Sequence, residues 1–412
     1  MKAGSAYSEM SASDLASLAA GELLRRTSLD PAKLDACVFG CVLPDISAPN
    51  LGREVVLRAG LPRQLEAWTV NRACASSNQA ITNGADLIAQ GLADVVLAGG
   101  AETISRAPIL WSRPVCRALL AASKARSVLE RLACFRELGP RDLLPVPPPI
   151  AEAYTGLTMG QSCEKMIREN GIAREAQDRL ALASHQRAAA AIADGRMAAE
   201  VVPVFPPPHY NPCVLEDNNV RKDASLEALA RLKPVFDRRF GTLTAGNSSP
   251  LTDGAAAVLL MGEDTARALG YKPLGYLRAY AYAALDPLDQ LLQGPAYAVP
   301  KALDRAGLTL SDIDLVEMHE AFAAQVLSNI QALASADFAA RKLGRSAAVG
   351  EVDPERLNVM GGSIAIGHPF GATGARLCTQ LLRELGRRGK QFGLVSVCAA
   401  GGMGSAIVWE RE

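Results

Sequence analysis

The sequence predicts a duplicated α/β fold, and three observations carry that expectation. Short apolar runs rich in Val, Leu and Ala, the mark of strands buried on both faces, alternate with stretches of helical spacing. The segment LSDIDLVEMHEA (310–321) repeats the helix-then-strand order of AKLDACVFGCVL (32–43). A third equivalence pairs VSVCAAGGMG (395–404) with VVLAGGAETI (95–104). Two halves built alike suggest open sheets whose active site gathers at strand ends.

The elements follow in order. SASDLASLAAGELLRR from Ser11 spaces Leu15, Leu18, Ala19 and Leu23 as a helix, with Ser11 and Asp14 placed as a capping box. Leu34 to Leu43 reads as a buried strand running into a Pro/Asn-rich loop, and a second helix is expected over about 52–59. Leu65 to Val70 reads as a short strand entering NRACASSNQAITNGADLIAQGLAD, which is helical from about Ala75; Ala93 to Glu102 is a further buried strand. The composition then shifts. From Arg106 to Arg141 eight basic residues face two acidic ones, Glu130 and Glu137, with Leu119, Leu120, Leu129, Leu132 and Phe135 interleaved. This predicts basic amphipathic helix, read either as a solvated face or as a surface docking on a membrane or a partner subunit. Pro-rich stretches at 145–149 and 203–212 bracket a mainly helical block, Ala151 to Arg196, expected to form a cap or lid outside the main sheet. GTLTAGNSSPLTDGAAAVLLM (241–261) is a polar loop feeding a buried strand, and Leu274 to Ala284 reads as another.

The 412 residues are 49% hydrophobic and 21% charged, enough for two or three domains with real cores. Forty-three basic residues cancel 43 acidic ones, so no global field points to nucleic acid. The nine cysteines are scattered without CxxC pairs or a Cys/His comb, which speaks against a zinc site and a disulfide framework. No apolar run approaches the roughly 18 residues of a membrane span, and the start lacks a signal-like pattern. The expectation is a reduced, cytoplasmic protein.

Chemistry-bearing residues gather at predicted strand ends. Cys74 falls between a strand and a helix, where unpaired N–H groups and the positive helix end favour an anion and lower a thiol's pKa. The alternative is a small buried hydrophobe. His368 lies in NVMGGSIAIGHPFGATGAR (358–376), hemmed by Gly361, Gly362, Gly367, Gly371 and Gly374. A lone histidine is commonly structural; here the glycines read as clearance for substrate and nucleophile around the imidazole. A thiol nucleophile needs a base, and neutral imidazole serves at pH 7. Cys398, in CAAGGMG, titrates in a range that suits a carbon acid next to a thioester, and the glycine-rich backbone after it offers N–H donors to an oxyanion.

NRACASSNQA, HEAFAAQ, GGSIAIGHPFGATGAR and CAAGGMG resemble, in that order, the signature motifs of thiolases, the acyl-CoA C-acyltransferases, and the similarity runs from about Ser11 onward. HEAF, Ser-Ser-Asn-Gln after Cys74, the loop SSPLTDG and the basic insert ending RDLLPVPPP are most similar to the β-subunit of the fatty-acid oxidation trifunctional complex. The resemblance implies a thiolase fold. Two βαβαβαββ halves, 1–105 with 238–265 and 266–412, would form a five-layer α-β-α-β-α core, with a helical loop domain over 106–237. It implies a 3-ketoacyl-CoA thiolase of β-oxidation, with coenzyme A as co-substrate and no permanently bound cofactor or metal. Cys74 would be the nucleophile, His368 its base, and Cys398 the acid and base at the enolate. His319 would share the enolate oxygen with His368, and the N–H groups of Cys74 and Ala400 would hold the tetrahedral oxygen. By the same resemblance Met159 lies beside pantetheine, Ser249 is a polar contact and Phe322 is near the thioester; Arg221 is near the nucleotide phosphates or is only a solvated charge. The implied partners are a second copy or three, as homodimer or homotetramer, a hydratase/dehydrogenase α-subunit, and a membrane met through the basic insert. Relatives begin with an apolar strand and an Arg-Thr-Pro turn, whereas this sequence opens MKAGSAYSEM; the first strand, expected centrally in the first sheet, lacks a counterpart. Competing readings are a β-ketoacyl synthase, which has no equivalent of Cys398, a biosynthetic acetoacetyl-CoA thiolase, and a non-catalytic acyl-CoA-binding or scaffold subunit.

Overall fold

Among the described residues eight strands make two four-stranded sheets. In the first, β1 (Ala36–Gly40) lies between β2 (Glu66–Val70) and β3 (Val95–Glu102), both parallel to it, and β4 (Gly254–Met261) adds antiparallel to β3. In the second, β5 (Tyr276–Ala284) pairs antiparallel with β8 (Met403–Glu410), β8 antiparallel with β7 (Phe392–Ala399), and β7 parallel with β6 (Leu315–Met318). The computed structural model describes residues 1–146 and 151–412, so the end of the Pro-rich edge expected at 145–149 lies outside the described residues.

Period-two burial on both faces of each sheet builds the layers. Cys37, Phe39, Val95 and Leu97 pack outward on Ala16, Ala20 and Leu24 of α1 (Ala12–Thr27) and on Val55 and Val56 of α2 (Leu51–Arg58). Their neighbours Val38, Val96 and Ala98 point inward, to Ile81 of α3 (Ser76–Ala89) and to Leu377, Leu381 and Leu385 of the helix Thr373–Arg388. The same cluster takes in Val395, Val397, Ile407 and Trp409 of the second sheet. On that sheet's far face Leu394, Ala406 and Val408 meet the helices Gly294–Ala306 and Ala323–Ala334. The result is the α-β-α-β-α stack. The capping box expected at Ser11 is present, with the Asp14 N–H donating to Ser11 Oγ at 3.1 Å and the Ser11 N–H to Asp14 Oδ2 at 2.8 Å.

The duplication extends to single carboxylates. Asp35 Oδ2 accepts the N–H groups of Asp94 and Val95 at 2.8 and 2.9 Å; Asp314 Oδ2 accepts those of Gln391 and Phe392, both at 3.0 Å. The same side chain thus pins the start of β3 and of β7. The equivalence also corrects the place of the first strand. In the second sheet β5 flanks β8 at the edge, and β4, the equivalent of β8, has no such neighbour among the described residues. The position is therefore an edge rather than the centre, and β1 and β3 keep partners on both sides. All eight β4 residues are half-buried, against six fully buried in β8. Residues 1–3 run antiparallel beside 251–253, where the Ala3 N–H donates to the Leu251 carbonyl at 3.0 Å.

The chain forms two compact units, Met1–Arg106 with Ala151–Glu412, and Ala107–Ile150. The smaller is shorter than the 106–237 excursion expected, because the block from 151 packs with the larger unit. It holds α4 (Arg113–Lys124) and α5 (Val128–Ala133), whose Val115 and Ala118 are buried while Leu119, Leu120, Leu129 and Leu132 are exposed. Within the larger unit, α6 (Met159–Asn170) and α7 (Arg174–Ala193) contribute no strand. Cys163, Met166 and Ile167 of α6 pack with Phe322 and Cys398, and Ala188 and Ala191 of α7 pack with Ala365 and Ile366. Both helices therefore lie over the strand ends of the second half.

Candidate active site

Cys74 sits in the five-residue junction between Val70 and Ser76, on a turn whose preceding residue, Ala73, has φ 45°. A left-handed alanine costs on the order of 1 kcal/mol, so the surroundings have to hold it. They do so with a local net: Arg72 N–H to Ser76 Oγ at 2.9 Å, Ser76 Oγ to the Ala73 carbonyl at 2.6 Å, and Ala73 N–H to Asn71 Oδ1 at 3.0 Å. The turn aims the sulfur at the second half, where His368 Nε2 lies 3.1 Å away across 294 positions of sequence. His368 Nδ1 is 2.7 Å from Thr373 Oγ1. His319, just after β6, sets its ring 4.0 Å from that of His368, tilted 42° to it, and Nδ1 2.8 Å from Ser363 Oγ; its Nε2 is buried without a partner among the described residues. One ring nitrogen of each histidine and Cys74 Sγ all lie within 4.8 Å of one another. Cys398, near the end of β7, is buried beside Phe322 and Met159, in electrostatic reach of the Cys74 thiol. Of the four reactive residues Cys74 is half-buried and the other three are buried.

Burial dominates the electrostatics. It pushes the Cys74 thiol up to about 12, opposed by the backbone N–H groups of Ala400 and Cys74 that point at the sulfur. The thiol pKa expected to fall at the helix start therefore rises, because desolvation by burial outweighs a local dipole. Burial, then the Arg376 charge, pushes His368 down to about 3; burial, then His368 and Arg376, drives His319 well below its usual range. Cys398 is raised well above a free thiol by burial, then by Cys74 and Cys163. Burial thus favours the neutral thiol and the neutral imidazole.

The glycines around His368 do a different task from the one expected. A Cβ on Gly371 would stand 2.6 Å from the Gly40 carbonyl oxygen, and one on Gly374 1.6 Å from Asn78 Oδ1. Gly361, Gly362 and Gly367 likewise face Ser184, Glu320 and Thr252. They let the second half's loop close onto its neighbours and bring His368 to Cys74; they are not clearance for substrate. Glu102, not foreseen from sequence, fastens that closure: buried at the end of β3, it accepts the N–H groups of Val42, Leu43 and Gly371 at 3.1, 2.9 and 3.0 Å. A carboxylate ending an apolar strand was the available signal.

Of the other expected contacts, Met159 opens α6 and joins the apolar cluster of Cys398 and Phe322, whose ring meets Phe236 edge-on at 5.7 Å. The Ser249 N–H donates to the Ala321 carbonyl at 3.0 Å, tying its loop to the HEAF segment. Arg221 is exposed and lies outside this cluster; its backbone N–H reaches His185 Nδ1 at 3.2 Å.

A duplicated five-layer fold that closes a cysteine of one half on a histidine of the other defines a thiol-dependent acyltransferase class. The chain matches the family descriptions "Thiolase, N-terminal domain" over residues 1–264 and "Thiolase, C-terminal domain" over 271–411, and it belongs to the thiolase family. Two similar proteins, from Serratia proteamaculans and Aeromonas salmonicida, are named 3-ketoacyl-CoA thiolase; each is 52% identical over all of this chain and 94% of its own length. Among solved structures, human mitochondrial 3-ketoacyl-CoA thiolase superposes with a TM-score of 0.82 at 32% identity, covering 98% of this chain and 93% of that one. The Bacillus anthracis acetyl-CoA acetyltransferase does so with a TM-score of 0.83 at 31% identity, covering 99% and 95%.

Proposed function

We propose that the protein is a 3-ketoacyl-CoA thiolase, cleaving 3-ketoacyl-CoA with coenzyme A to acetyl-CoA and an acyl-CoA two carbons shorter. The observation that carries the reading is the 3.1 Å approach of Cys74 Sγ to His368 Nε2 with a second buried thiol, Cys398, beside them. The full-length relatives at 52% identity favour this degradative direction over a biosynthetic one.

Cys74 Sγ attacks C3 of the substrate as its proton passes to His368 Nε2. The developing oxyanion lies against the N–H groups of Cys74 and Ala400, the two that already face the sulfur. The C2–C3 bond then breaks, leaving the acyl group on Cys74 and its electron pair on the acetyl-CoA enolate. The enolate oxygen is held by the His368 imidazolium and His319, and Cys398 delivers a proton to C2. A second CoA thiol gives its proton to the Cys398 thiolate, or to His368 once that ring has passed its own proton to Cys398; the CoA thiolate takes the acyl group, the released Cys74 thiolate recovers a proton from His368, and the kinetics are ping-pong. Coenzyme A is a co-substrate in this scheme, its pantetheine along Met159 and Phe322, its polar groups at Ser249 and its phosphates toward Arg221; human mitochondrial 3-ketoacyl-CoA thiolase has been solved with CoA. We further read the protein as a cytoplasmic homodimer or homotetramer that associates with a hydratase/dehydrogenase subunit. No described helix is long and apolar enough to cross a membrane. The exposed Leu119, Leu120, Leu129 and Leu132 among exposed Arg113, Arg117, Arg126 and Arg131 support peripheral docking of the 107–150 unit.

The test is CoA-dependent release of acetyl-CoA from 3-ketoacyl-CoAs of several chain lengths, with Cys74→Ala as control. Absence of cleavage by folded protein rejects the reading.

A further inference from the structure

The two adjacent histidines have the same chemistry and, in the scheme above, opposite tasks: His368 has to offer a lone pair at Nε2, and His319 a hydrogen at Nε2. Nothing in the imidazole decides which nitrogen of a neutral ring carries the proton; the partner of the other nitrogen does. Both Nδ1 atoms meet hydroxyls, Thr373 Oγ1 at 2.7 Å and Ser363 Oγ at 2.8 Å. The hydroxyls differ in their other partner, an acceptor for one and a donor for the other. Thr373 Oγ1 also lies 3.3 Å from the Pro369 carbonyl, which can take its hydrogen and leave the oxygen to accept from His368 Nδ1, the sense that keeps Nε2 bare for the Cys74 thiol. Ser363 Oγ is already an acceptor, taking an N–H from the Arg376 guanidinium at 3.0 Å, and arginine has no other role to offer. The serine is fully buried, and among the described residues its hydroxyl hydrogen has no acceptor other than His319 Nδ1. The reverse arrangement would crowd a second donor onto the oxygen and strand a buried O–H.

We propose that Ser363 and Arg376 are positioning residues that hold His319 in the Nε2–H tautomer, so that its buried, unpartnered Nε2 is a ready hydrogen-bond donor facing the His368–Cys74 pair. Arg376 polarises the serine hydroxyl and cannot itself reverse the wiring, because it stays protonated. The inference deepens the thiolase reading, on which its kinetic consequence rests, while the tautomer is measurable without any substrate.

The chain has only four histidines, His185, His209, His319 and His368, so 15N-histidine NMR of the intact protein resolves each ring, with His319→Asn and His368→Asn for assignment. A protonated and a bare ring nitrogen differ widely in 15N shift. The expected result is Nε2–H for His319 and Nδ1–H for His368 in the native protein. Ser363→Ala should convert His319 to a mixture of tautomers and lower kcat for 3-ketoacyl-CoA cleavage on the order of 10- to 100-fold, with KM within about threefold. Ser363→Thr, which keeps the hydroxyl, should retain the tautomer and most of the rate. A native spectrum with Nδ1–H at His319, or a folded Ser363→Ala protein with both tautomer and kcat unchanged, overturns the proposal. Native protein with the expected tautomers but no cleavage would instead reject the thiolase reading alone.

Discussion

A single methyl group at position 374 should disable the site while barely unfolding the protein. Gly374 is six residues past His368, at the start of the helix Thr373–Arg388 that packs on α3. A Cβ there would fall 1.6 Å from Asn78 Oδ1, 2.7 Å from its Cγ and 2.9 Å from its backbone N. Asn78 has little freedom to retreat: it is fully buried and its Nδ2 is tied to Ser405 Oγ at 2.9 Å. Ordinary contact requires about 3.5 Å, so the two helices have to part by something over 1 Å. Overpacking of this kind costs about 1–3 kcal/mol. The functional loss should be larger, because Cys74 precedes α3 by two residues and His368 precedes its partner helix by five, so spreading the helices spreads the 3.1 Å pair. A misplacement of roughly 1 Å at reacting groups costs on the order of 100-fold in rate. Steady-state cleavage and urea denaturation of Gly374→Ala measure both quantities. Gly386→Ala, on the same helix, is the control: its Cβ would come no nearer than 3.4 Å to Arg411 Nε, and it should be neutral or slightly stabilising. Wild-type cleavage and wild-type stability in Gly374→Ala would refute the argument that these glycines set the distance between the halves.

Three further outcomes follow from burial and pairing. Because burial holds His368 at about 3 instead of near 6.5, the base stays unprotonated as pH falls, and kcat/KM should stay flat from about pH 8 to pH 5.5 rather than fall with a limb near 6.5; a pH–rate profile decides it. The same shift has a stability cost of defined sign: the unfolded chain binds the proton that folded His368 refuses, so folding weakens as pH drops through 6.5, by up to about 1.4 kcal/mol per pH unit. In hydrogen exchange, alternate amides of β4 should exchange orders of magnitude faster than those of β8, which is paired on both sides; equal protection would mean that the open edge of β4 is covered in solution.

The parts of the site that were legible in sequence are those whose chemistry is rare. Two cysteines and two histidines next to glycines or at strand ends stand out because such groups are seldom needed for packing, and the buried strands stand out because apolar runs have few other uses. The groups that orient them were not legible. Ser363 and Thr373 are common hydroxyls, and their meaning comes from partners: Ser363 lies 44 positions from His319 and 13 from Arg376. Whether a hydroxyl gives or takes a hydrogen bond depends on the third group it meets, which no local pattern records. The thiol pKa failed in the same way. A helix start is visible in sequence and predicts a lowered value, but the desolvation that reverses it comes from tertiary packing by residues of both halves. The edge position of the first strand also follows from sheet order, a tertiary property, and became visible only when β4 was compared with its equivalent β8.

The glycines of the His368 loop show why residue type underdetermines role. Five glycines in 14 residues state that Cβ atoms have no room there, and sequence alone cannot say whether substrate or protein takes the space. At Gly371 and Gly374 the occupants are Gly40 and Asn78, both from the first half. These contacts, with Glu102 holding the Gly371 N–H, are what bring a histidine to hydrogen-bonding distance of a cysteine 294 residues away. The Cys74–His368 distance is therefore a packing distance between the two halves, and on the proposed mechanism substitutions far from any substrate should act on the rate through it.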